Sequence, residues 1–288
     1  GGDIGQSIAS CIMNNKNFKI YGTETHSYHG GLLFSEKVDI IPAAKSKNFL
    51  EILMEKVEKY KIDLVIPVNE YEIKVISNYA SDLNYISAGK KIVNIGLDKL
   101  DTINKLSEFG IDVPWTVDAD KLKPLDYPCI FKPRFSSGSR SIFIINSTNE
   151  ATFFSKKYPK YVFQQLINPY EKELTCCVFR SKRGEISSIQ FERELSGGMT
   201  GWARVIFDND VNIILHKIAD KLELNGSINV QLRLTENGPM IFEINPRFSS
   251  TAQMRHHLGF KDVLWSIKEF FDLPIKFSNI EPGSELVR

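Results

Sequence analysis

The sequence predicts an α/β chain in which an open parallel sheet at the N-terminal end is followed by a mixed α+β part. In the first hundred residues, apolar extended runs such as FKIYGTE and DLVIPVNE alternate with the helical run NFLEILMEKVEKYKI. This alternation is typical of βαβ units in a mostly parallel sheet. Farther along, β-rich runs joined by turn residues predict hairpins, as in NVQLRLTENGPMIFE,. These two sequence patterns therefore predict different types of sheet in the two parts of the chain.

Length and composition are those of a globular protein with two or three compact units. Lys and Arg number 36 against 35 Asp and Glu, so the net charge of +1 indicates no polyanion-binding surface, and we expect no nucleic-acid partner,. No apolar run approaches the roughly 20 residues that a membrane helix needs, and no signal peptide opens the chain. We expect a cytoplasmic protein without a membrane partner.

The cysteines indicate neither a metal site nor a disulfide framework. They stand at Cys11, Cys129, Cys176 and Cys177, without C-x-x-C spacing,. The adjacent pair falls in the strand-like run TCCVF, where neighbouring side chains point to opposite faces. We expect buried thiols.

The N-terminal glycines allow two interpretations. Gly1, Gly2 and Gly5, with Glu24 farther on, resemble a dinucleotide fingerprint,. The apolar strand that normally precedes such a turn is not part of the sequence, so either the first strand is missing or the glycines have a structural role. A dinucleotide site stays open as a minor hypothesis.

A helix and a hairpin follow from residue 98 onward. LDKLDTINKLSEFG has apolar residues at helical spacing and ends in glycine,. YPCIFKPRFSSGSRSIFII then predicts two strands around the small, flexible tip FSSGS, whose backbone N–H groups can bind phosphate. Lys132 precedes that tip. The alternative is an ordinary hairpin turn with a solvated lysine.

The stretch FEINPRFSST carries the most specific pattern. Glu243, Asn245 and Arg247 alternate, so on an extended strand they share one face,. The predicted hairpin brings Gln231 of the preceding strand beside Glu243. One carboxylate and two amide oxygens form a shell suited to Mg²⁺, and the arginine could bind an anion. A polar, solvated edge strand explains these residues equally well when they are considered alone.

The order of these motifs, with YVFQQLI after the glycine loop and SSIQFERELSGGMTGWARVIF before NVQLRL, resembles the ATP-grasp superfamily. The resemblance covers nearly the whole chain and is closest to the carbamoyl-phosphate synthase large-subunit-like branch. It implies a pre-ATP-grasp domain at 1–97 that lacks its first strand, and then a two-lobed ATP-grasp fold. The small lobe would span 98–165 with a glycine- and serine-rich lid, and the large lobe 166–288 with a metal site.

The resemblance also implies roles for individual residues. Lys132 and Arg247 would be the catalytic residues, and Gln231, Glu243 and Asn245 the metal ligands. Glu173 would bind the ribose hydroxyls. The other implied nucleotide contacts are Lys99, Ser136, Ser137, Gly138, Ser139, Gln164, Gln165, Leu166 and Ile167. Gln164 stands where the family commonly has a glutamate that helps to bind the adenine.

The function implied is an ATP-dependent carboxylate–amine ligase. ATP and Mg²⁺, with Mn²⁺ as a substitute, would activate a small-molecule carboxylate as an acyl phosphate for attack by an amine. The alternative is a non-catalytic nucleotide-binding sensor or a subunit of a larger synthase, and a homo-oligomer stays open. Arg193 and Arg204 would line the acceptor pocket or belong to a mobile surface loop, whereas His256 and His257 would pack or cap.

Overall fold

The computed structural model describes residues 2–135, 141–168, 172–197 and 199–287. The predicted fold class is confirmed: a parallel sheet lies at the N-terminal end, and two antiparallel sheets follow it. No helix within the described ranges is long and apolar enough to cross a membrane.

Besides a 3₁₀ turn at Gly31–Leu33, the described part of the N-terminal region contains two short parallel strands and four α-helices. They are α1 (Gly2–Ile12), β1 (Tyr21–Glu24), β2 (Lys37–Ile40), α2 (Phe49–Tyr60), α3 (Glu70–Tyr79) and α4 (Lys90–Leu97). A capping box of Asn69 and Glu72 begins α3,. Gly2 and Gly5 lie within α1, and the N–H of Gly2 donates to Glu24 at 2.8 Å. The described glycines therefore form helix, and Glu24 contacts the start of that helix.

One predicted strand is reduced to a single bridge. Within DLVIPVNE, Val65 bridges Tyr85 in parallel. Val65 donates to the carbonyl of Asn84 at 2.9 Å, and Ile86 donates to the carbonyl of Val65 at 3.0 Å. These two bonds are too few to define a strand, so the extended conformation predicted here forms only this bridge.

The next unit, called the small lobe below, is a four-stranded antiparallel sheet with order β3-β6-β4-β5 and one helix. Its elements are β3 (Thr116–Asp118), β4 (Cys129–Pro133), β5 (Phe143–Ile145), α6 (Thr148–Lys157) and β6 (Tyr161–Gln165), preceded by α5 (Lys99–Glu108). The predicted hairpin is confirmed, since β4 pairs with β5 on either side of FSSGS. Its residues Ser136, Ser137, Gly138 and Ser139 lie outside the described residues.

The large lobe is a six-stranded antiparallel sheet of order β11-β10-β7-β8-β9-β12. Its elements are β7 (Glu173–Arg180), β8 (Ile186–Ser196), β9 (Met199–Ile206), α7 (Asn209–Lys221), β10 (Gly226–Thr235), β11 (Gly238–Asn245), α8 (Ala252–His257), α9 (Asp262–Phe270) and β12 (Glu285–Val287).

Helices cover both faces of the large sheet. Cys176 of β7 belongs to one core cluster with Leu215 of α7, whereas Cys177 belongs to another with Trp265 of α9. The adjacent cysteines therefore point to opposite faces, as expected for a strand. All four cysteines are free and buried.

Two close approaches hold the N-terminal region against the large lobe. Gly96 of α4 packs on Pro246, and a Cβ at Gly96 would come within 2.8 Å of the Pro246 ring. Ser7 of α1 donates to the carbonyl of Ser250 at 3.2 Å and accepts from the N–H of Gln253 at 2.9 Å. These contacts place α1 and α4 beside the segment that follows β11.

Candidate functional site

A cavity of about 390 Å³ lies between the small and large lobes. It brings together residues that are far apart in the sequence and that the motifs had singled out. Those among its lining are Lys99, Lys132, Gln164, Gln165, Leu166, Ile167, Glu173, Arg193, Gln231, Glu243, Asn245 and Arg247.

Three predicted residues lie elsewhere. Arg204 is not part of the lining; its side chain is 41% exposed and donates to Glu192 at 2.8 Å. His256 and His257 occupy the last turn of α8, also away from the cavity lining. Burial and nearby positive charges lower the pKa of His256, which is consistent with a packing role.

Two buried lysines contribute positive charge to the cavity. Lys132 on β4 is 5% exposed, and Lys99, the first residue of α5, is 8% exposed. Burial lowers the pKa of Lys132 to about 8, and the charge of Lys99 acts in the same direction, whereas Glu243 opposes it,. A cavity wall in which two buried lysine ammonium groups repel each other is suited to an anionic ligand such as a polyphosphate.

An arginine just beyond β4 sets the positions of both lysines. Arg134 forms two bonds of 2.7 Å to the carboxylate of Asp98, and its carbonyl accepts from the N–H of Lys99 at 3.1 Å. Asp98 also caps α5 through the N–H groups of Leu100 and Asp101. The Asp98–Arg134 pair therefore ties the start of the helix that carries Lys99 to the end of the strand that carries Lys132. No local sequence pattern indicates this link, because Asp98 and Arg134 are 36 positions apart.

The β10–β11 hairpin presents the carboxylate and amides to the cavity. Gln231 is directly opposite Glu243, and Asn229 is opposite Asn245. A β-bulge shifts the register between Gln231 and Leu232, so Phe242 is the extra residue on β11,. Because of the bulge, Phe242 and Glu243 both line the cavity although they are adjacent. Alternation alone could not predict Phe242 as a site residue.

The oxygen set fits a magnesium ion only in part. The described residues contain no group of three or more His, Cys, Asp or Glu side chains able to hold a metal ion. Gln231, Glu243 and Asn245 supply one carboxylate and two amide oxygens. Mg²⁺ requires six ligands and keeps several waters, and it is often bound by one or two carboxylates together with substrate phosphates. The set therefore fits a magnesium ion that arrives with a nucleotide.

Arg247 lies just beyond β11 and contacts the N-terminal region. Its Nε donates to Glu70 at 2.7 Å, and its Nη1 donates to the carbonyl of Phe248 at 3.0 Å. The Nη2 of Arg247 lies 3.5 Å from Oδ1 of Asn245. Glu70 is the first residue of α3 and is 177 positions away in the sequence, so no local pattern could indicate this pair.

The strand β6 and the segment after it form another wall. Gln164 is buried, and its amide donates to the hydroxyl of Thr116 at 2.9 Å. Gln165 accepts from the N–H of Trp115 at 3.3 Å. Both glutamines are thus held by β3 and the residue before it, while the next two residues, Leu166 and Ile167, also line the cavity.

The segment Ser249–Thr251 completes the lining together with Asp3 and Ile4 of α1. Beneath it, the fully buried Arg255 donates to Ser249 at 2.8 Å and to Thr251 at 3.0 Å. The same guanidinium makes two bonds of 2.8 Å to Asp262. A buried ion pair therefore orients the hydroxyl groups of FSST, which explains this part of the motif.

Comparison with known proteins agrees with the fold. The family model for the ATP-grasp domain matches residues 97–251. The chain therefore belongs to the ATP-grasp domain family.

One curated relative matches part of the chain. The large chain of carbamoyl phosphate synthase from Saccharolobus solfataricus is 28% identical over 211 residues, which cover 62% of this chain and 19% of the relative. The chain thus spans about a fifth of that relative's length.

Several solved structures share the fold. An N5-carboxyaminoimidazole synthetase from Staphylococcus aureus, complexed with ADP, is 16% identical with a TM-score of 0.75 and covers 100% of this chain and 78% of its own. The biotin carboxylase domain of 2-oxoglutarate carboxylase from Hydrogenobacter thermophilus is 12% identical with a TM-score of 0.79, covering 98% and 71%. An L-amino acid ligase from Bacillus licheniformis is 15% identical with a TM-score of 0.74, covering 92% and 71%.

Proposed function

We propose that this protein is an ATP-dependent ligase that activates a small-molecule carboxylate as an acyl phosphate and transfers the acyl group to an amine. ADP and phosphate are the other products. One observation carries the proposal: two buried lysines, an amide–carboxylate–amide set and an arginine converge on one cavity between two lobes of an ATP-grasp fold.

In this proposal the reaction has two steps. An oxygen of the substrate carboxylate attacks the γ-phosphorus of ATP, the bond from that phosphorus to the bridging oxygen breaks, and ADP leaves. The amine then attacks the acyl carbon, phosphate leaves, and the amine proton passes to phosphate or water. The chain needs no covalent nucleophile, so its contribution is alignment and charge stabilisation.

The residues divide that work by position. Lys99 and Lys132 bind the phosphate oxygens, because both ammonium groups are buried in the cavity wall. Arg247 binds the phosphoryl group or the acyl phosphate, since a guanidinium suits an oxyanion and its Nε is already fixed by Glu70,. The wall of Gln164, Gln165, Leu166 and Ile167 contacts the adenine.

Gln231, Glu243 and Asn245 would hold magnesium. When bound, Mg²⁺ supplies neutralisation of the phosphate charge. Glu243 contributes the formal negative charge of the set, and its position opposite Gln231 is fixed by the hairpin register.

The division into a pre-ATP-grasp domain at 1–97, a small lobe at 98–165 and a large lobe at 166–288 is part of the same proposal. It is supported by the change from parallel to antiparallel pairing along the chain.

The test is phosphate release from ATP and Mg²⁺ with a panel of carboxylates, each with and without a panel of amines. We expect release that depends on one carboxylate class, together with formation of an amide product. Lys132→Ala should abolish this release, whereas Lys156→Ala, at an exposed position of α6, should not change it. Tight binding of ADP without release for any carboxylate would overturn the ligase proposal and support a nucleotide-binding sensor.

A further inference from the structure

Glu173, at the start of β7, lies between two arginines on the neighbouring strands. Arg193 of β8 donates to Oε1 of Glu173 through Nε at 3.1 Å and through Nη2 at 2.6 Å. Arg233 of β10 is paired with Glu173 in the β-ladder, and its Nη2 donates to Oε2 at 2.9 Å. All three side chains line the cavity. The side chains of Arg193, Glu173 and Arg233 are 11%, 20% and 20% exposed, so this is a largely desolvated cluster.

Arg233 also reaches the segment between the two lobes. Its Nη1 donates to the carbonyl of Asn168 at 3.2 Å. The N–H of Leu234, the next residue on β10, donates to the carbonyl of Lys172 at 3.0 Å. A single guanidinium therefore connects Glu173 with the backbone that follows the Leu166–Ile167 wall, so the carboxylate and that wall keep a constant relative position.

The hydrogen-bond capacity of the carboxylate sets a limit on what else it can bind. A carboxylate has about four acceptor positions, two on each oxygen. Among the described residues, Arg193 takes two positions on Oε1 and Arg233 takes one on Oε2. One position on Oε2 is left. Neither guanidinium can accept a hydrogen bond, so the cluster offers one acceptor to a hydroxyl group.

We infer that Arg193 and Arg233 are positioning residues that restrict Glu173 to a single ribose hydroxyl of the bound nucleotide. This inference rests on the proposed function, because it requires an adenine nucleotide in the cavity. A carboxylate without these partners could accept from the 2′- and 3′-hydroxyls together. Here the two arginines hold it so that one hydroxyl donates to it and the other does not.

The experiment measures the affinity of the wild-type protein for ADP, 2′-deoxy-ADP and 3′-deoxy-ADP in the presence of Mg²⁺ by isothermal titration calorimetry. One deoxynucleotide should bind about tenfold more weakly than ADP, as expected when a hydrogen bond to a charged group is lost. The other should bind within about twofold of ADP. Equal weakening with both deoxynucleotides, or with neither, would overturn the inference.

The variants Arg193→Lys and Arg233→Lys test the role of the arginines. Lysine keeps the positive charge but lacks the planar set of N–H donors of a guanidinium, so acceptor positions on Glu173 are released. In the wild-type protein, the ratio of the stronger to the weaker deoxynucleotide affinity should be well above one. In these variants the ratio should fall toward one, by a factor of at least about three. Arg180→Lys is the matched control. Arg180 ends β7, the strand that begins with Glu173, and contacts Asp220 and the carbonyl of Leu224. This variant should leave the affinity ratio unchanged.

A purely structural role would weaken the binding of all three nucleotides in the same proportion and leave the ratio intact, which would also overturn the inference. The wild-type measurement needs no variant and decides the single-hydroxyl claim even if a variant folds poorly. Failure of the wild-type protein to bind ADP would overturn the proposed function, and the inference with it. Binding of ADP without hydroxyl selectivity would overturn the inference alone.

Discussion

At the scale of single residues, the cavity lining contains several charged side chains that are largely buried. Lys132 is the clearest case, because it is 5% exposed and has Lys99 as a neighbouring like charge. Burial disfavours the ammonium form, and the partial compensation comes from Glu243,. With its pKa lowered to about 8, Lys132 loses its positive charge at mildly alkaline pH.

This predicts a pH dependence of nucleotide affinity. The pKa of Lys132 is lowered to about 8, so the amine is protonated below that pH and loses its charge as the pH rises through it. Affinity for ADP, measured by calorimetry in EDTA so that no metal ion contributes charge, should fall as the pH rises from 7 to about 9. Lys132→Arg should remove this fall, because a guanidinium stays charged. A wild-type affinity that rises over this range would contradict the assignment.

Glu243 and Arg247 should have separable roles although they are near neighbours. Glu243→Gln removes the formal charge of the metal set and should raise the Mg²⁺ concentration required for half-maximal phosphate release. Arg247→Lys keeps the charge but loses the fork, so it should slow release by about tenfold or more while the Mg²⁺ midpoint stays unchanged. Magnesium titrations of both variants beside the wild-type protein check this. Equal shifts of the midpoint in both would show that the two residues share one role.

At the scale of secondary-structure elements, the site depends on two junctions. The β10–β11 hairpin sets Gln231 opposite Glu243, and its bulge turns Phe242 into the cavity. At the other junction, Asp98 caps α5 and accepts two bonds from Arg134 beyond β4. Lys99 is the first residue of α5 and Lys132 is the last but one of β4, so this ion pair links the two elements that carry the lysines.

Breaking the α5–β4 junction should therefore reduce both stability and binding. Asp98→Asn keeps a capping side chain but removes the charge that Arg134 contacts,. We expect a loss of about 1–3 kcal/mol in the free energy of unfolding, because Asp98 is buried and Arg134 would lose its two 2.7 Å bonds to a carboxylate, keeping only the longer ones to Asp118 at 3.2 Å and Asp101 at 3.4 Å,. ADP affinity should fall as well. Denaturant unfolding and calorimetry measure the two effects.

The matched control is Glu108→Gln on the same helix. Glu108 pairs with Lys105 at the surface, and surface pairs contribute about 0–1 kcal/mol,. Its replacement should leave ADP affinity unchanged. An equal loss of affinity in both variants would mean that the position of Lys99 does not depend on Asp98.

At the scale of the whole molecule, the N-terminal region is fitted against the large lobe at the edge of the cavity. Gly96 packs on Pro246, Ser7 bonds to the backbone of Ser250 and Gln253, and Glu70 bonds to Arg247. Pro246 lies between Asn245 and Arg247. A change in this packing is therefore transmitted directly to two proposed site residues.

The glycine at this contact provides a stability test. An alanine Cβ at Gly96 would lie 2.8 Å from Cδ of Pro246, closer than packed atoms tolerate, so Gly96→Ala should destabilise the fold by about 1–3 kcal/mol,. Gly5→Ala is the control, because its Cβ would meet only Val68 at 3.9 Å. Helix propensity favours that replacement by up to about 1 kcal/mol. If the Gly96→Ala protein were as stable as the Gly5→Ala protein, the backbone around Pro246 would be able to move away without a loss in the free energy of unfolding.

What the sequence determined by itself is the local part of the fold and site. Alternation on β7 predicted that Cys176 and Cys177 face opposite ways, because the side-chain period of a strand is two,. The turn at Glu236–Gly238 predicted the hairpin and so the pairing of Gln231 with Glu243. Turn chemistry and periodicity operate over a few residues, and a sequence carries them without reference to the rest of the chain.

Only the tertiary structure decided which distant groups meet. Glu70 reaches Arg247 over 177 positions, and Glu173 receives Arg193 and Arg233 from two other strands. The bulge at Phe242 depends on the pairing of β10 with β11. The contact between Arg134 and Asp98 requires that α5 packs against the small lobe. These contacts result from the packing of whole elements, in which backbone position and not sequence spacing sets the distance between charges.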